Sequence, residues 1–161
     1  MQRVFKYLLS FYFKILFSTY RLHLIDKSDE GENLPFNKRH GIFYIWHEHV
    51  LSGLYFLAKR KTQGHLITDN SSEGQLGRYI ARKMGLRSIS GDSKIAFIRN
   101  SLEVLEMNKK LYMVGDGSDG PAHELHKELP YLSAKSGVPL THIECHVSSA
   151  LSFIKRWDKL K

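Results

Sequence analysis

The stretch GIFYIWHEH, residues 41–49, is an apolar run of β-forming residues that stops at a cluster of polar ones, Trp46-His47-Glu48-His49. A run of this length and composition predicts a buried strand over residues 41–46. The residues that follow, 50–58, are apolar on most sides and end in Lys59-Arg60-Lys61, which predicts a buried helix with a basic C-terminal end. The same order of strand, polar turn and helix then recurs. Residues 65–68 predict a second strand. Ser72-x-x-Gln75 reads as a capping box, Leu76, Tyr79, Ile80 and Met84 repeat at helical spacing, and Gly85 is a suitable stop. A third strand is expected at 86–90, followed by an amphipathic helix carrying Ile95, Ile98, Leu102 and Leu105. A fourth is expected at 111–114, before the turn-rich residues 115–121 and a short helix over 129–135 that closes at Gly137. Strands over 138–143 and 151–154 complete the pattern. Alternating strands and helices predict an α/β domain with a central, mostly parallel sheet and helices on both faces.

The chain has 161 residues, which is the size of one domain and too short for an eight-stranded α/β barrel of about 250 residues. Its apolar content of 42% and charged content of 25% are those of a globular protein rather than a disordered one. A single cysteine, Cys145, excludes an internal disulfide framework and a cysteine-built zinc site. Twenty-four Lys and Arg against sixteen Asp and Glu give a net charge of +8, which suits a polyanionic partner. The basic residues are scattered and no recognition motif accompanies them, so nucleic acid is not the expected partner.

Three segments follow from the distribution of charge and aromatics. Residues 1–25 contain no acid, carry Arg3, Lys6, Lys14 and Arg21, and hold seven of the nineteen aromatics. Lys14 interrupts any apolar stretch long enough to span a bilayer, and no small-residue cleavage site follows. This segment is expected to be an amphipathic helix that lies in an anionic membrane interface or packs on the domain. Residues 26–40 are polar and read as a linker. Residues 41–161 form the α/β domain.

In parallel sheets, ligands bind beyond the carboxyl ends of the strands, so the residues after each strand are the candidates. His47 follows the first strand directly and should open a helix, and a neutral imidazole there can take a proton from a hydroxyl. Glu48, Asp69, Glu73 and Asp116 are the carboxylates able to orient it, with Glu48 the least suited because adjacent helical residues face different ways. Ser90, Gly91 and Ser93 form a small-residue turn that opens a helix. Together with Lys94 and Arg99 it is a candidate anion seat. The turn Asp116–Pro121, with Gly117 and Gly120, allows close backbone approach to a ligand.

These turns, in this order, resemble the lysophospholipid acyltransferase-like superfamily, and most closely its bacterial branch long catalogued as a domain of unknown function. The matching stretches are FYIWHEHVL, DNSSEGQLGRYIARKMG, GLRSISGDSK, GDGSDGPAHEL (of Asp-Gly-Pro-x-Gly-Pro type), LSAKSGVPLTHI and FIKRWDK, between Ile42 and Asp158. The resemblance implies a glycerolipid-acyltransferase-like fold. It implies transfer of a fatty acyl group from a thioester donor, acyl-CoA or acyl-carrier protein, to a hydroxyl of a lysophospholipid or other lipid acceptor. His47 falls on the catalytic base, the region Ser90–Arg99 on the phosphate-binding block, and Asp116–Pro121 on the Glu-Gly-Thr-type block. No metal or bound organic cofactor is implied, and the place of work is the cytoplasmic face of the inner membrane, peripherally attached. The sequence departs from the pattern at Ser52, where the superfamily usually carries an acid, at Glu73, where the branch has Asp, and at Ser90, where the branch has Arg.

Two rival classes fit parts of the sequence. His47 and His49 form a His-x-His at a strand end, which suits a metal-dependent hydrolase with Asp69 or Asp116 as further ligands. A non-catalytic membrane-binding relative would use the N-terminal segment alone.

Overall fold

The computed structural model describes residues 40–68, 71–90, 93–117 and 120–146, and residues 11–12, 15–21 and 23 of the N-terminal stretch; the side chains at 72 and 73 lie outside the described set. Strand β1 spans Gly41–Ile45 and runs through a 3-10 turn at His47–His49 into helix α1, Val50–Lys59. Then follow β2 (His65–Thr68), α2 (Ser72–Lys83), β3 (Arg87–Ser90), α3 (Lys94–Glu106), β4 (Lys110–Val114), α4 (Glu128–Ser136) and β5 (Leu140–His142). Each expected element between residues 41 and 143 is present within a few residues. His47 stands in the 3-10 turn, three residues before Val50, where the helix it was expected to open begins. The cap of α2 is also one residue earlier than the capping-box reading: the Ser71 hydroxyl accepts the Gly74 N–H at 2.9 Å. The strand expected over 151–154 and the linker over 26–39 lie outside the described residues.

The five strands form one sheet in the order β3-β2-β4-β1-β5, with every pairing parallel. Successive residues of a strand face opposite sides, and the core divides accordingly. Ile42 and Leu111 face one side with Val104 and Leu105 of α3 and Leu129 and Leu132 of α4. Phe43 and Tyr112 face the other side with Phe56 and Leu57 of α1 and Ala81 of α2. Helices therefore cover both faces, as a buried parallel sheet requires.

This strand order places one crevice. The chain leaves β1 through α1 and crosses past β4 to reach β2, and it leaves β4 through α4 and crosses past β1 to reach β5. Two adjacent strands thus send their connections in opposite directions. This is the switch-point arrangement, and sheets of this kind take ligands beyond the carboxyl ends of the two strands.

Of the N-terminal stretch, residues 11–12 and 15–19 are helical. Phe17 and Tyr20 pack on Tyr55 of α1, with ring centroids 5.3 and 5.1 Å away, and the Tyr55 hydroxyl donates to the Tyr20 carbonyl at 3.1 Å. Burial raises the Tyr20 hydroxyl above its ordinary range, and a hydrogen bond with Ser52 opposes the shift. Phe11, Tyr12 and Ile15 stay exposed. Among the described residues, no helix is long and apolar enough to cross a membrane.

Candidate functional site

Strands β1 and β4 end in register, Ile45 opposite Val114, and the ladder continues one step further as the Gly115 N–H donates to the Ile45 carbonyl at 2.8 Å. The next residues on each chain are Trp46-His47 and Asp116. The pairing thus brings together two polar turns that are remote in sequence. The Asp116 carboxylate is 1% exposed, so it needs hydrogen-bond donors to be tolerated there. It has two: Oδ1 accepts the main-chain N–H of His47 at 2.8 Å and Oδ2 accepts that of His123 at 3.1 Å.

His47 and Asp116 therefore meet as the shared-crevice reading expects, but through the histidine's backbone. The expectation that Asp116 orients the His47 ring has no counterpart in this contact. Its two oxygens hold the main chains of the two turns. Of the other carboxylates considered, Asp69 is outside the described residues, as is the side chain of Glu73. Glu48, judged least suited to serve His47, makes a different contact: its Oε1 lies 2.9 Å from Nε2 of His123 and 3.4 Å from Nε2 of His49.

The turn after β4 folds back over the crevice, with the His126 N–H donating to the Gly115 carbonyl at 2.8 Å. Gly117 and Gly120 hold φ of +63° and +69°, the left-handed region that glycine adopts without strain. Residues 118 and 119 lie outside the described set, and Pro121 is exposed. Gly115 admits no side chain. A Cβ there would stand 2.6 Å from Cδ2 of Tyr44 and 3.1 Å from Cζ3 of Trp46. Gly115→Ala is accordingly expected to cost about 1–3 kcal/mol, the usual penalty for overpacking, seen as a lower urea midpoint.

Aromatic rings line the β5 side of the crevice. Tyr44 stacks on His142 at 4.8 Å and 18°, while Trp46 lies 5.2 Å from His142 and 5.3 Å from His123. Burial holds the His142 imidazole below its ordinary range, although Glu144 pulls it up, so the neutral ring is favoured in this stack. Burial raises the Tyr44 hydroxyl as well. Cys145 lies just beyond, and burial, reinforced by Glu144, pushes its thiol up to about 11, which keeps it protonated and unreactive.

The candidate anion seat is largely committed to local contacts. The Ser93 hydroxyl caps α3 by accepting the Ala96 N–H at 3.2 Å, and the Ser90 carbonyl accepts the Asn100 side-chain amide at 2.9 Å. Lys94 lies 3.1 Å from Glu128, and Arg99 lies 4.0 Å from Glu103. Glu128 is held below the usual carboxylate range, first by a hydrogen bond from its own backbone N–H and then by Lys94. Gly91 is outside the described residues. These side chains surround the start of α3 and the start of α4, and each cation already has a carboxylate beside it.

His123 carries no sequence signal, and nothing in the sequence pairs it with Glu48, which was considered only as a partner of His47. The two are 75 positions apart, and only the register of β1 with β4 brings them together. Among the described residues, no group of three or more His, Cys, Asp or Glu is arranged to hold a metal ion.

The fold and crevice together define an α/β protein with a doubly wound parallel sheet and a polar, histidine-rich switch point. No family model, curated protein or solved structure matches the chain.

Proposed function

We propose that this chain is a glycerolipid-acyltransferase-like enzyme that moves a fatty acyl group from acyl-CoA or acyl-carrier protein to a hydroxyl of a lysophospholipid or other lipid acceptor. The observation that carries the reading is the meeting of His47 and Asp116 at the switch point, across 69 residues of sequence, through a 2.8 Å hydrogen bond. It joins the Trp-His and Gly-Asp-Gly turns in one crevice, the two turns on which the resemblance most depends. In this mechanism His47 takes the proton of the acceptor hydroxyl as its oxygen attacks the thioester carbonyl. The carbon–oxygen bond forms, the carbon–sulfur bond breaks, and the proton passes to the leaving thiolate. Main-chain N–H groups would steady the developing oxyanion; in the turn after β4 those of His123 and His126 are already given to Asp116 and Gly115. The phosphate of the donor or acceptor would sit toward Ser90–Arg99, where it must compete with Glu128 and Glu103 for Lys94 and Arg99.

The test is acyl transfer to lysophospholipids from each donor, with and without chelator, alongside lipid mass spectrometry of cells with and without the protein. Transfer that survives chelator supports the reading. No transfer from either donor, or transfer abolished by chelator, overturns it.

The N-terminal segment belongs to the same proposal. Its exposed Phe11, Tyr12 and Ile15 and its basic residues suit a helix lying in an anionic bilayer surface, while Phe17 and Tyr20 tie it to α1. This attachment would keep the crevice at the membrane, peripherally, on the cytoplasmic face of the inner membrane. Deleting residues 1–25 is expected to release the protein from phosphatidylglycerol-containing vesicles in a sedimentation assay, and raising the salt concentration should weaken binding of the full chain. Equal sedimentation of the two proteins would make the segment a packing element only.

A further inference from the structure

Two carboxylates cross between the turn that carries His47 and the turn that follows β4. Asp116 comes from the second turn and holds main-chain N–H groups of both. Glu48 comes from the first turn and holds a side chain of the second, with its Oε1 2.9 Å from Nε2 of His123. An ionised carboxylate only accepts hydrogen bonds, so His123 donates from Nε2. The side chain of Glu48 is 15% exposed and that of His123 is 56% exposed, so the bond runs from a largely covered carboxylate to an imidazole at the rim.

The backbone of His123 points the same way. Its φ of +63° lies in the left-handed region, uncommon for a residue with a side chain and maintained where surrounding contacts impose it. Here the contacts are at hand: its N–H is on Asp116, its ring nitrogen is on Glu48, and its ring lies 5.3 Å from that of Trp46. Glu48 is also the next residue after His47 in the 3-10 turn. Tying the Glu48 side chain to His123 fixes the rotation of that turn, and with it the direction in which the His47 side chain leaves the backbone.

We propose that Glu48 and His123 are positioning residues, whose side-chain hydrogen bond locks the turn after β4 onto Trp46–His49 and so sets the place of the His47 ring in the crevice. Asp116 fixes where the two main chains meet, and the Glu48–His123 bond fixes how the turns are rotated against each other. The proposal deepens the acyl-transfer reading and rests on it for its kinetic test alone.

Two substitutions at one position separate the side-chain bond from the backbone conformation. In His123→Gln the side-chain amide nitrogen can stand where Nε2 stands and donate to Glu48. In His123→Asn the left-handed backbone is well tolerated, but the amide falls short of Glu48. The readouts on the full chain are the indole ¹H–¹⁵N resonance of Trp46, assigned with Trp157→Phe, the thermal midpoint, and kcat and KM for acyl transfer. His123→Asn and Glu48→Ala are expected to move the Trp46 resonance and to lower kcat roughly 10- to 100-fold with little change in KM, the signature of a misplaced catalytic group. His123→Gln is expected to keep most of kcat. An unmoved Trp46 resonance in Glu48→Ala, which leaves the His123 ring in place, overturns the proposal. So does a loss in His123→Gln equal to that in His123→Asn, or a fall in thermal midpoint with kcat unchanged. If the wild-type chain transfers no acyl group at all, the acyl-transfer reading fails. The Trp46 resonance of Glu48→Ala then decides the role of the Glu48–His123 bond by itself: a shift supports it, and an unmoved resonance overturns it.

Discussion

His47→Ala is expected to lower acyl transfer roughly 10²- to 10⁴-fold, the usual worth of a positioned general base, while the protein stays folded. The fold should tolerate the change because alanine keeps the main-chain N–H that Asp116 accepts. The loss should appear in kcat and in kcat/KM together, since the proton transfer is needed only in the transition state. His49→Ala should be mild by comparison. That ring lies beside Glu48 at 3.4 Å, and Glu48 keeps its contact with His123 when His49 is removed. The difference between the two variants separates a single-base mechanism from a His-x-His metal site, which needs both rings. Equal turnover by wild-type protein and His47→Ala would remove His47 from the chemistry.

Asp116→Asn should instead act through the structure, and strongly. Both oxygens of this buried carboxylate accept main-chain N–H groups, from His47 and from His123. An asparagine offers one oxygen and one NH₂, so one buried N–H is left facing another donor. Leaving a buried donor unsatisfied costs about 1–3 kcal/mol, and more where the lost acceptor was charged. Thermal denaturation should show a midpoint lower by several degrees, since each kcal/mol is worth about 2–4 °C in a chain of this size. Activity should fall with it, because the two turns lose their shared anchor. A variant with wild-type stability would show that the carboxylate is replaceable and that the crevice is held by other contacts.

The secondary structure was largely legible because the elements announce themselves locally. The alternation of Ile42 and Phe43, and of Leu111 and Tyr112, feeds two cores on opposite faces of the sheet. Gly85 and Gly137 stand at helix ends with φ of +79° and +68°, the stops their positions predicted. The errors were also local: Ser71 rather than Ser72 caps α2, because two adjacent serines offer the same chemistry and only the backbone geometry selects one. That the turns after β1 and β4 would lie at one edge of the sheet followed from the parallel sheet alone. Which side chains would touch did not follow, because residues 48 and 123 carry no periodicity that links them.

By itself, the sequence determined the alternation of strands and helices, the apolar interior, the basic and aromatic N-terminal stretch, and the placing of polar turns at the strand ends. These are matters of composition and spacing over a few residues. Only the tertiary structure decided the strand order β3-β2-β4-β1-β5 and the partner of each carboxylate in the crevice. Register is the physical reason. Pairing Ile45 with Val114 sets Gly115 and Asp116 beside Trp46 and His47, and it carries His123 across to Glu48. A shift of that pairing by one residue would send every side chain of the strand to the opposite face and dissolve both contacts.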